Sequence, residues 1–192
     1  SGKPYTQFRN DALAYFKLQS VPPGAAENKG LQFITGKSAK NVIDYEFPVY
    51  ISADSILVSK KSFREVSAFY LLVKGKEHRI RTRNSGLDQY YSYRNGRIVY
   101  ASYQSDPRRG NRDYSVIQLL NIHNGKQRQL SFRSKYFSPD INESGTEILA
   151  VSVLPNGQSS LHRINAQTDS LITALPNPAN CFFTQTKYIN DQ

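Results

Sequence analysis

One stretch of the sequence, residues 138–151, has the residue types and spacing of a calcium-binding loop. Oxygen-bearing side chains stand at alternate positions before a glycine, in the order Asp140, Asn142, Ser144 and Gly145. A 12-residue calcium loop needs a bidentate glutamate at its twelfth position, which is Val151 here. The pattern therefore favours a tight turn before an apolar strand. In such a turn Ser138 and Asp140 accept hydrogen bonds from nearby backbone N–H groups, and Gly145 has a positive φ.

A second group of chemically capable residues is basic and aromatic. Ile98 to Val116 spans 18 positions, whereas the similar stretches 56–69 and 148–161 span 13, so five residues are inserted. The insertion and its flanks supply the residues that we predict to bind a ligand, namely Tyr103, Arg108, Arg109, Arg112 and Tyr114. Guanidinium groups bind phosphate or carboxylate, and binding residues concentrate on loops held by a rigid scaffold. The competing interpretation is a solvated edge that is charged only to block strand pairing.

The other reactive residues do not form a catalytic pattern. His78, His123 and His162 fall in or beside apolar runs and lack metal-ligand spacing. There is no G-x-S-x-G motif, and the carboxylates are too scattered to suggest an acid–base pair. We therefore predict no catalytic residue, no metal site and no cofactor. Cys181 precedes two phenylalanines, which predicts a buried, unreactive thiol.

The amino-acid composition limits the classes of protein to which the chain can belong. The chain has 192 residues, of which 39% are apolar and 21% charged, and no apolar run approaches the roughly 20 residues of a membrane-spanning helix. This is typical of one globular domain. The net charge of +10 favours acidic partners such as nucleic acid, an anionic polymer or an acidic protein face. The chain contains no methionine, so we expect that Ser1 is not a native start and that any targeting signal would have been lost with the true N-terminus.

The first 30 residues differ from the rest. Apolar side chains recur at helical spacing over residues 7–19, which predicts an amphipathic helix that stops at Val21–Gly24. From Leu31 onward short apolar or alternating runs are separated by turn residues, which is typical of antiparallel strands.

The strands belong to a repeat. Three aromatic–aromatic–hydroxyl triplets recur every 46 residues, at Tyr90–Ser92, Tyr136–Ser138 and Phe182–Thr184. Each of the first two triplets is followed by a turn and three further apolar or polar runs, and an equivalent unit begins near Tyr45. Four strands in about 45 residues is the period of a β-propeller blade.

The best-formed unit resembles a known family. The run Tyr136–Val151, with its Ser-Pro-Asp triplet and later Thr168-Asp169 turn, is similar to the blades of TolB-type propellers, as found in envelope proteins of Bacteroidetes-type bacteria. The resemblance covers residues 44–192, although the first unit lacks the triplet. It implies an all-β partial propeller, with blades at 44–84, 85–131 and 132–177 and the start of a fourth at 178–192. Residues 1–43 form an arm with the helix and a lead-in strand. Since closed rings usually have about 4–8 blades, we expect a fragment of a larger chain or assembly.

Three functions compete. The missing catalytic pattern and the resemblance favour a non-catalytic binding or scaffolding module that recognises a protein or envelope polymer in the periplasm or cell envelope. An accessory propeller that filters substrates for a hydrolase domain outside this chain is the first alternative. Binding of nucleic acid is the second, prompted by the charge and by aromatic residues beside basic ones, as at Tyr93-Arg94. We expect it to be absent, because the same aromatics recur with the blade period.

Overall fold

The computed structural model describes residues 2–19, 34–36 and 41–189. The chain divides into two compact units, residues 1–36 and residues 37–192.

The first unit contains helix α1, Tyr5–Gln19. The predicted helix is confirmed and begins two residues earlier than expected, because the backbone N–H groups of Gln7 and Phe8 donate to the Pro4 carbonyl. No residue of the helix is buried, and its aromatic side chains are exposed. The predicted helix stop at Val21–Gly24 lies outside the described residues, as does much of the predicted lead-in strand.

Residues 41–189 contain twelve strands in three four-stranded antiparallel sheets, each connected in chain order. We call these sheets blades 1, 2 and 3. Blade 1 comprises β1 (Ile43–Ser52), β2 (Ser55–Ser62), β3 (Ala68–Val73) and β4 (Lys76–Thr82). Blade 2 comprises β5 (Tyr91–Arg94), β6 (Arg97–Asp106), β7 (Arg109–Asn121) and β8 (Gln127–Gln129). Blade 3 comprises β9 (Tyr136–Ile141), β10 (Glu147–Val153), β11 (Ser159–Asn165) and β12 (Leu171–Leu175). The predicted fold class, an all-β partial propeller with a helical arm, is confirmed.

Short turns with positive φ close several of the hairpins. Asn95 and Gly96 join β5 to β6 with φ values of 46° and 73°, and Lys74 and Gly75 join β3 to β4 in the same way. Two consecutive positive φ values give the turn whose twist matches that of paired strands. A Cβ at position 96 would also lie 2.4 Å from Nε2 of the exposed His123 side chain, which would have to move.

The core lies between the blades, because successive side chains of a strand point to opposite faces. On β6, Ile98 and Tyr100 pack with Leu57 and Phe69 of blade 1. Val99, between them, belongs to a cluster shared with blade 3. Blade 2 is therefore apolar on both faces and is covered on both.

Hydrogen bonds about one repeat apart tie the blades together. Asp88 Oδ2 accepts the N–H of Ser138, at 2.6 Å. Arg97 Nη1 donates to the Gly145 carbonyl at 2.6 Å. The hydroxyl of Tyr91 donates to the carbonyl of Phe47 at 2.7 Å. Each bond joins a strand or turn of one blade to the equivalent region of the next, so the repeat in the sequence becomes a repeat of contacts.

The stretch 138–151 forms the predicted turn, but with different partners. The cap is Asn142, whose Oδ1 accepts the N–H groups of Thr146 and Glu147 at 2.9 and 3.0 Å, and Gly145 has the expected positive φ of 72°. The prediction that Ser138 and Asp140 bond nearby N–H groups is wrong. Both lie within β9 and are buried, so their side chains reach the segment that packs beside that strand.

That segment is the predicted start of a fourth blade. Among residues 178–189 no strand is present, because a strand requires a ladder partner and no further strand of the described chain pairs with this segment. The segment is nevertheless hydrogen-bonded to β9 of blade 3, since Ser138 Oγ donates to the Thr184 carbonyl and Asp140 Oδ2 accepts the Tyr188 N–H. The prediction of a buried Cys181 is wrong: the thiol is exposed. Its backbone is hydrogen-bonded to the side chains of Asn177 and Ser159.

The packing between blades predicts a contrast between two leucines. Leu120 is fully buried between blades 1 and 2, whereas Leu171 on β12 is 51% exposed. Leu120→Ala is expected to lower the free energy of unfolding by about 2–5 kcal/mol, because it removes buried methyl groups and leaves a cavity. Leu171→Ala should change it by less than about 0.5 kcal/mol. Urea unfolding of both variants measures the difference, and equal losses would contradict the assignment of Leu120 to the core.

Candidate binding site on the extended hairpin of blade 2

The five extra residues of the second repeat lengthen a hairpin. β5 pairs with β6 only as far as Tyr100, and β8 pairs with β7 only from Gln118 onward. β6 and β7 continue to pair with each other up to Ser105 opposite Asp113. The prediction that the five inserted residues form a loop is therefore wrong. The residues extend a two-stranded ribbon, because alternating side chains and a tight turn at residues 107–108 let the ladder continue.

The tip of the ribbon is held by Asp106. Its Oδ1 accepts the N–H of Arg108 at 2.9 Å, and its Oδ2 accepts the hydroxyl of Tyr114 at 3.2 Å. The Arg108 N–H, assisted by the Tyr114 hydroxyl and the charges of Arg112 and Arg133, lowers the pKa of Asp106 despite partial desolvation. Asp106 pairs with Arg109 in the ladder, so residues 110–112 bulge from β7.

The structure divides the five predicted binding residues between two faces. Tyr103 pairs with Ser115 and Tyr114 pairs with Gln104, so the two tyrosines point to opposite sides of the ribbon. Tyr103 donates its hydroxyl to Asp113.

On the other face Tyr114 is buried, and the guanidinium of Arg112 lies 5.4 Å from the centre of its ring. Arg108 joins Tyr114 in the lining of a groove, whereas Arg109, exposed at the start of β7, does not line it.

The groove is completed by residues that the sequence did not single out. Its volume is about 420 Å³, and the connection from β8 to β9 contributes Phe132 and Arg133. Phe132 is 75% exposed, and Arg133 has a positive φ of 48°. An aromatic residue beside a basic one in a polar connection was the available signal. Among the described residues, Asp106 is the one acidic residue that lines the groove, and both of its oxygens accept hydrogen bonds.

The histidines occupy strands and a turn, as predicted. His78 lies in β4, His123 in the turn after β7, and His162 in β11. The ring of His162 is bonded through Nδ1 to the Tyr136 hydroxyl and through Nε2 to Ser160 Oγ, and its burial lowers its pKa. Within residues 2–19, 34–36 and 41–189, no cluster of three histidine, cysteine or acidic residues could hold a metal ion. In the same part of the chain, no helix is both long and apolar enough to cross a membrane.

Comparison with known proteins supports the fold but gives no information about the site. No protein-family profile matches the sequence, and no curated protein matches it. Among solved structures, the chain is similar to a puromycin-hydrolyzing peptidase of Mycobacterium tuberculosis, with a TM-score of 0.51 and 13% identity over 71% of this chain and 22% of that one. A putative TolB from Agrobacterium tumefaciens gives a TM-score of 0.46 and 20% identity over 62% of this chain and 41% of that one. The chain thus spans less than half of either protein, and the likeness concerns the fold alone.

The hydrogen bonds of Asp106 predict a pH-dependent hairpin tip. The folded-state pKa of Asp106 lies below its ordinary value of 3.8. The ionised carboxylate therefore stabilises the tip above that value, and the stabilisation is lost as the pH falls through the lower, folded-state pKa. The backbone ¹H–¹⁵N signal of Arg108, followed by NMR, should shift in this acidic window. Asp106→Asn should abolish the shift. A titration midpoint above 3.8 would contradict the assignment.

Proposed function

We propose that the chain is a non-catalytic β-propeller module that binds an acidic segment of a partner protein in the groove beside the extended hairpin. The single observation that carries the proposal is the composition of the groove. Arg108 and Arg133 line the groove together with an exposed Phe132, and the carboxylate of Asp106 in the same lining is already engaged. Arginine and aromatic side chains dominate the energetics of protein interfaces.

An extended segment suits this surface better than a compact ligand. The ribbon edges at residues 104–106 and 109–113 have no neighbouring strand in the described part of the chain. An exposed strand edge can pair with the backbone of an added chain, while side-chain pockets supply specificity. Acidic side chains of the added segment would meet Arg108 and Arg133, and an apolar one would meet Phe132.

The proposal includes no catalysis. Apart from Asp106, whose two oxygens already accept hydrogen bonds, the groove is lined by arginine, aromatic, proline and hydroxyl or amide side chains, which bind ligands but do not supply a matched acid and base. A periplasmic or cell-envelope setting in Bacteroidetes-type bacteria is part of the proposal. It is supported by the resemblance of the Tyr136–Val151 repeat to TolB-type blades.

A second candidate is an accessory propeller of a larger hydrolase. It is favoured by the structural similarity to a peptidase of which this chain spans 22%. Mass spectrometry of the native protein discriminates between the two candidates. Peptides from a catalytic domain on the same polypeptide would support the accessory role, and a native polypeptide without such a domain would exclude it.

The groove predicts a charge-dependent interaction with a defined probe. A fluorescein-labelled peptide of alternating Glu and Ser with one central Phe should bind, and the same peptide with Gln in place of Glu should not. Arg108→Glu combined with Arg133→Glu is expected to weaken binding at least about tenfold, or about 1.4 kcal/mol. Fluorescence anisotropy measures the affinity. Binding should also weaken with salt, since the screening length falls from about 30 Å at 0.01 M to about 8 Å at 0.15 M.

The matched control changes the net charge equally at a distant surface. Arg64 and Lys76 are exposed on blade 1 and lie outside the groove. Arg64→Glu combined with Lys76→Glu should leave the affinity within about twofold, because neither side chain lines the groove and salt screens exposed charges that make no direct contact. An equal loss in both double variants would overturn the proposed site and leave only a non-specific attraction of the basic protein for acidic peptides.

A further inference from the structure

The strongest unexplained feature lies elsewhere, at the junction of blades 1 and 2. Arg83 follows β4, and its residue surface is only 6% exposed. Its guanidinium lies 5.7 Å from the ring centres of both Phe69 and Tyr100, two side chains that are themselves fully buried. A buried charge is costly unless it is paired and hydrogen-bonded, so its partners decide what it does.

The partners of Arg83 are weak and neutral. Nη1 donates to Ser59 Oγ at 3.4 Å, and Nη2 donates to the carbonyls of Asp88 and Tyr90 at 3.2 and 3.3 Å. These distances exceed the usual 2.7–2.9 Å of charge-assisted bonds. Among the described residues no carboxylate lies within 4.0 Å of the guanidinium.

Two carboxylates lie near Arg83 but are occupied. Glu46 binds the ammonium group of Lys61. Asp88 accepts the N–H groups of Tyr90 and Ser138. Burial lowers the pKa of Arg83 in spite of the attraction exerted by Tyr100 and by these two carboxylates. The guanidinium therefore lacks a direct anionic partner.

Arg83 faces a polar cavity of about 210 Å³. Lys61, Glu46 and Asp88 also line the cavity, with their charged groups already paired or hydrogen-bonded as described above. The cavity is further lined by uncharged polar side chains for which the described residues provide no hydrogen bond, namely Ser67, Asn84, Ser85 and Gln89. The wall formed by residues 83–89 is held close to blade 2. The Ser85 carbonyl accepts the Tyr103 N–H at 2.7 Å, and a Cβ at Gly86 would lie 2.7 Å from the Ala101 carbonyl oxygen. The cavity thus places a buried cation beside hydroxyl and amide side chains that make no hydrogen bond within the described chain, of which Asn84, Ser85 and Gln89 are exposed.

We propose that this cavity binds a carboxylate group, with the Arg83 guanidinium as its charge partner and Asn84 and Ser67 as supporting polar contacts. A carboxylate matches the planar donor fork of arginine and can form two short parallel bonds in place of the three long ones. The carboxylate comes either from an acidic side chain or from the C-terminus of a peptide, because both carry the same chemical group. This site is independent of the hairpin groove, with which it shares no lining residue.

NMR titration of the whole chain with two capped probes tests the proposal and separates the two sources. N-acetyl-aspartic acid α-amide presents a side-chain carboxylate, and N-acetylglycylglycine presents a C-terminal one. Their neutral controls are N-acetylasparagine amide and N-acetylglycylglycinamide. At least one carboxylate probe should shift the Arg83 Nε–H signal saturably, and its neutral control should not. If neither probe shifts that signal, or if the neutral controls act equally, the proposal is overturned. Saturable binding of inorganic phosphate alone would also overturn it.

Variants separate binding from a purely structural role of Arg83. Arg83→Gln should weaken binding of the effective probe at least about tenfold, whereas Arg64→Gln should leave it unchanged. If Arg83→Gln does not fold, the double variant Asn84→Ala, Ser67→Ala decides. The wild-type side chains of Asn84 and Ser67 make no hydrogen bond in the described chain. The double variant should therefore keep the wild-type thermal midpoint and still bind the probe severalfold more weakly. Unchanged binding in a folded variant of either kind would overturn the site. Loss of binding in the Arg108→Glu, Arg133→Glu variant would assign the response to the hairpin groove and also overturn it.

Discussion

The three-sheet unit depends on one constraint, which is that its central sheet is apolar on both faces. On β6 the side chains of Ile98 and Tyr100 leave the sheet on one side and Val99 leaves it on the other, and all three are fully buried. Exposure of either face to water would cost about 25 cal/mol per Å² of apolar surface. The sheet must therefore lie between two neighbours, and this requirement stacks the blades face to face.

Hydrophobic contact is not directional, so the alignment of the blades is set by polar groups. Asp88 and Asp140 each accept a backbone N–H from the inner segment that follows in the next repeat, and Asp140 is completely buried. Lys187 lies 3.8 Å from Asp140 and offsets part of its charge. Ionised acceptors make hydrogen bonds about twice as strong as neutral ones, and they are costly to leave unmade. These two aspartates thus have a structural role in aligning neighbouring segments.

The large positive charge is not one binding surface. Arg97 and Arg128 donate to backbone carbonyls of blade 3, and Arg83 is buried between blades 1 and 2. These cations are used in holding the propeller together or in lining a cavity. Arg108 and Arg133 are different, because they line an open groove beside a ribbon that extends past its own sheet. A long hairpin can vary without disturbing the blade contacts, which makes it a suitable place for recognition.

Local patterns in the sequence were sufficient for the helix, the strands, the Asn95-Gly96 turn and the 46-residue blade repeat. Each of these depends on side-chain alternation or backbone preferences within a few residues. The pairing of Asp140 with Tyr188, the exposure of Cys181 and the meeting of Phe132 with Arg108 were decided by the tertiary structure. Their partners lie on other strands and, for the contacts between blades, nearly one repeat away. No local pattern records which distant segment covers a given side chain, so the blades could be predicted from the sequence, whereas the full groove and the burial of Arg83 could not.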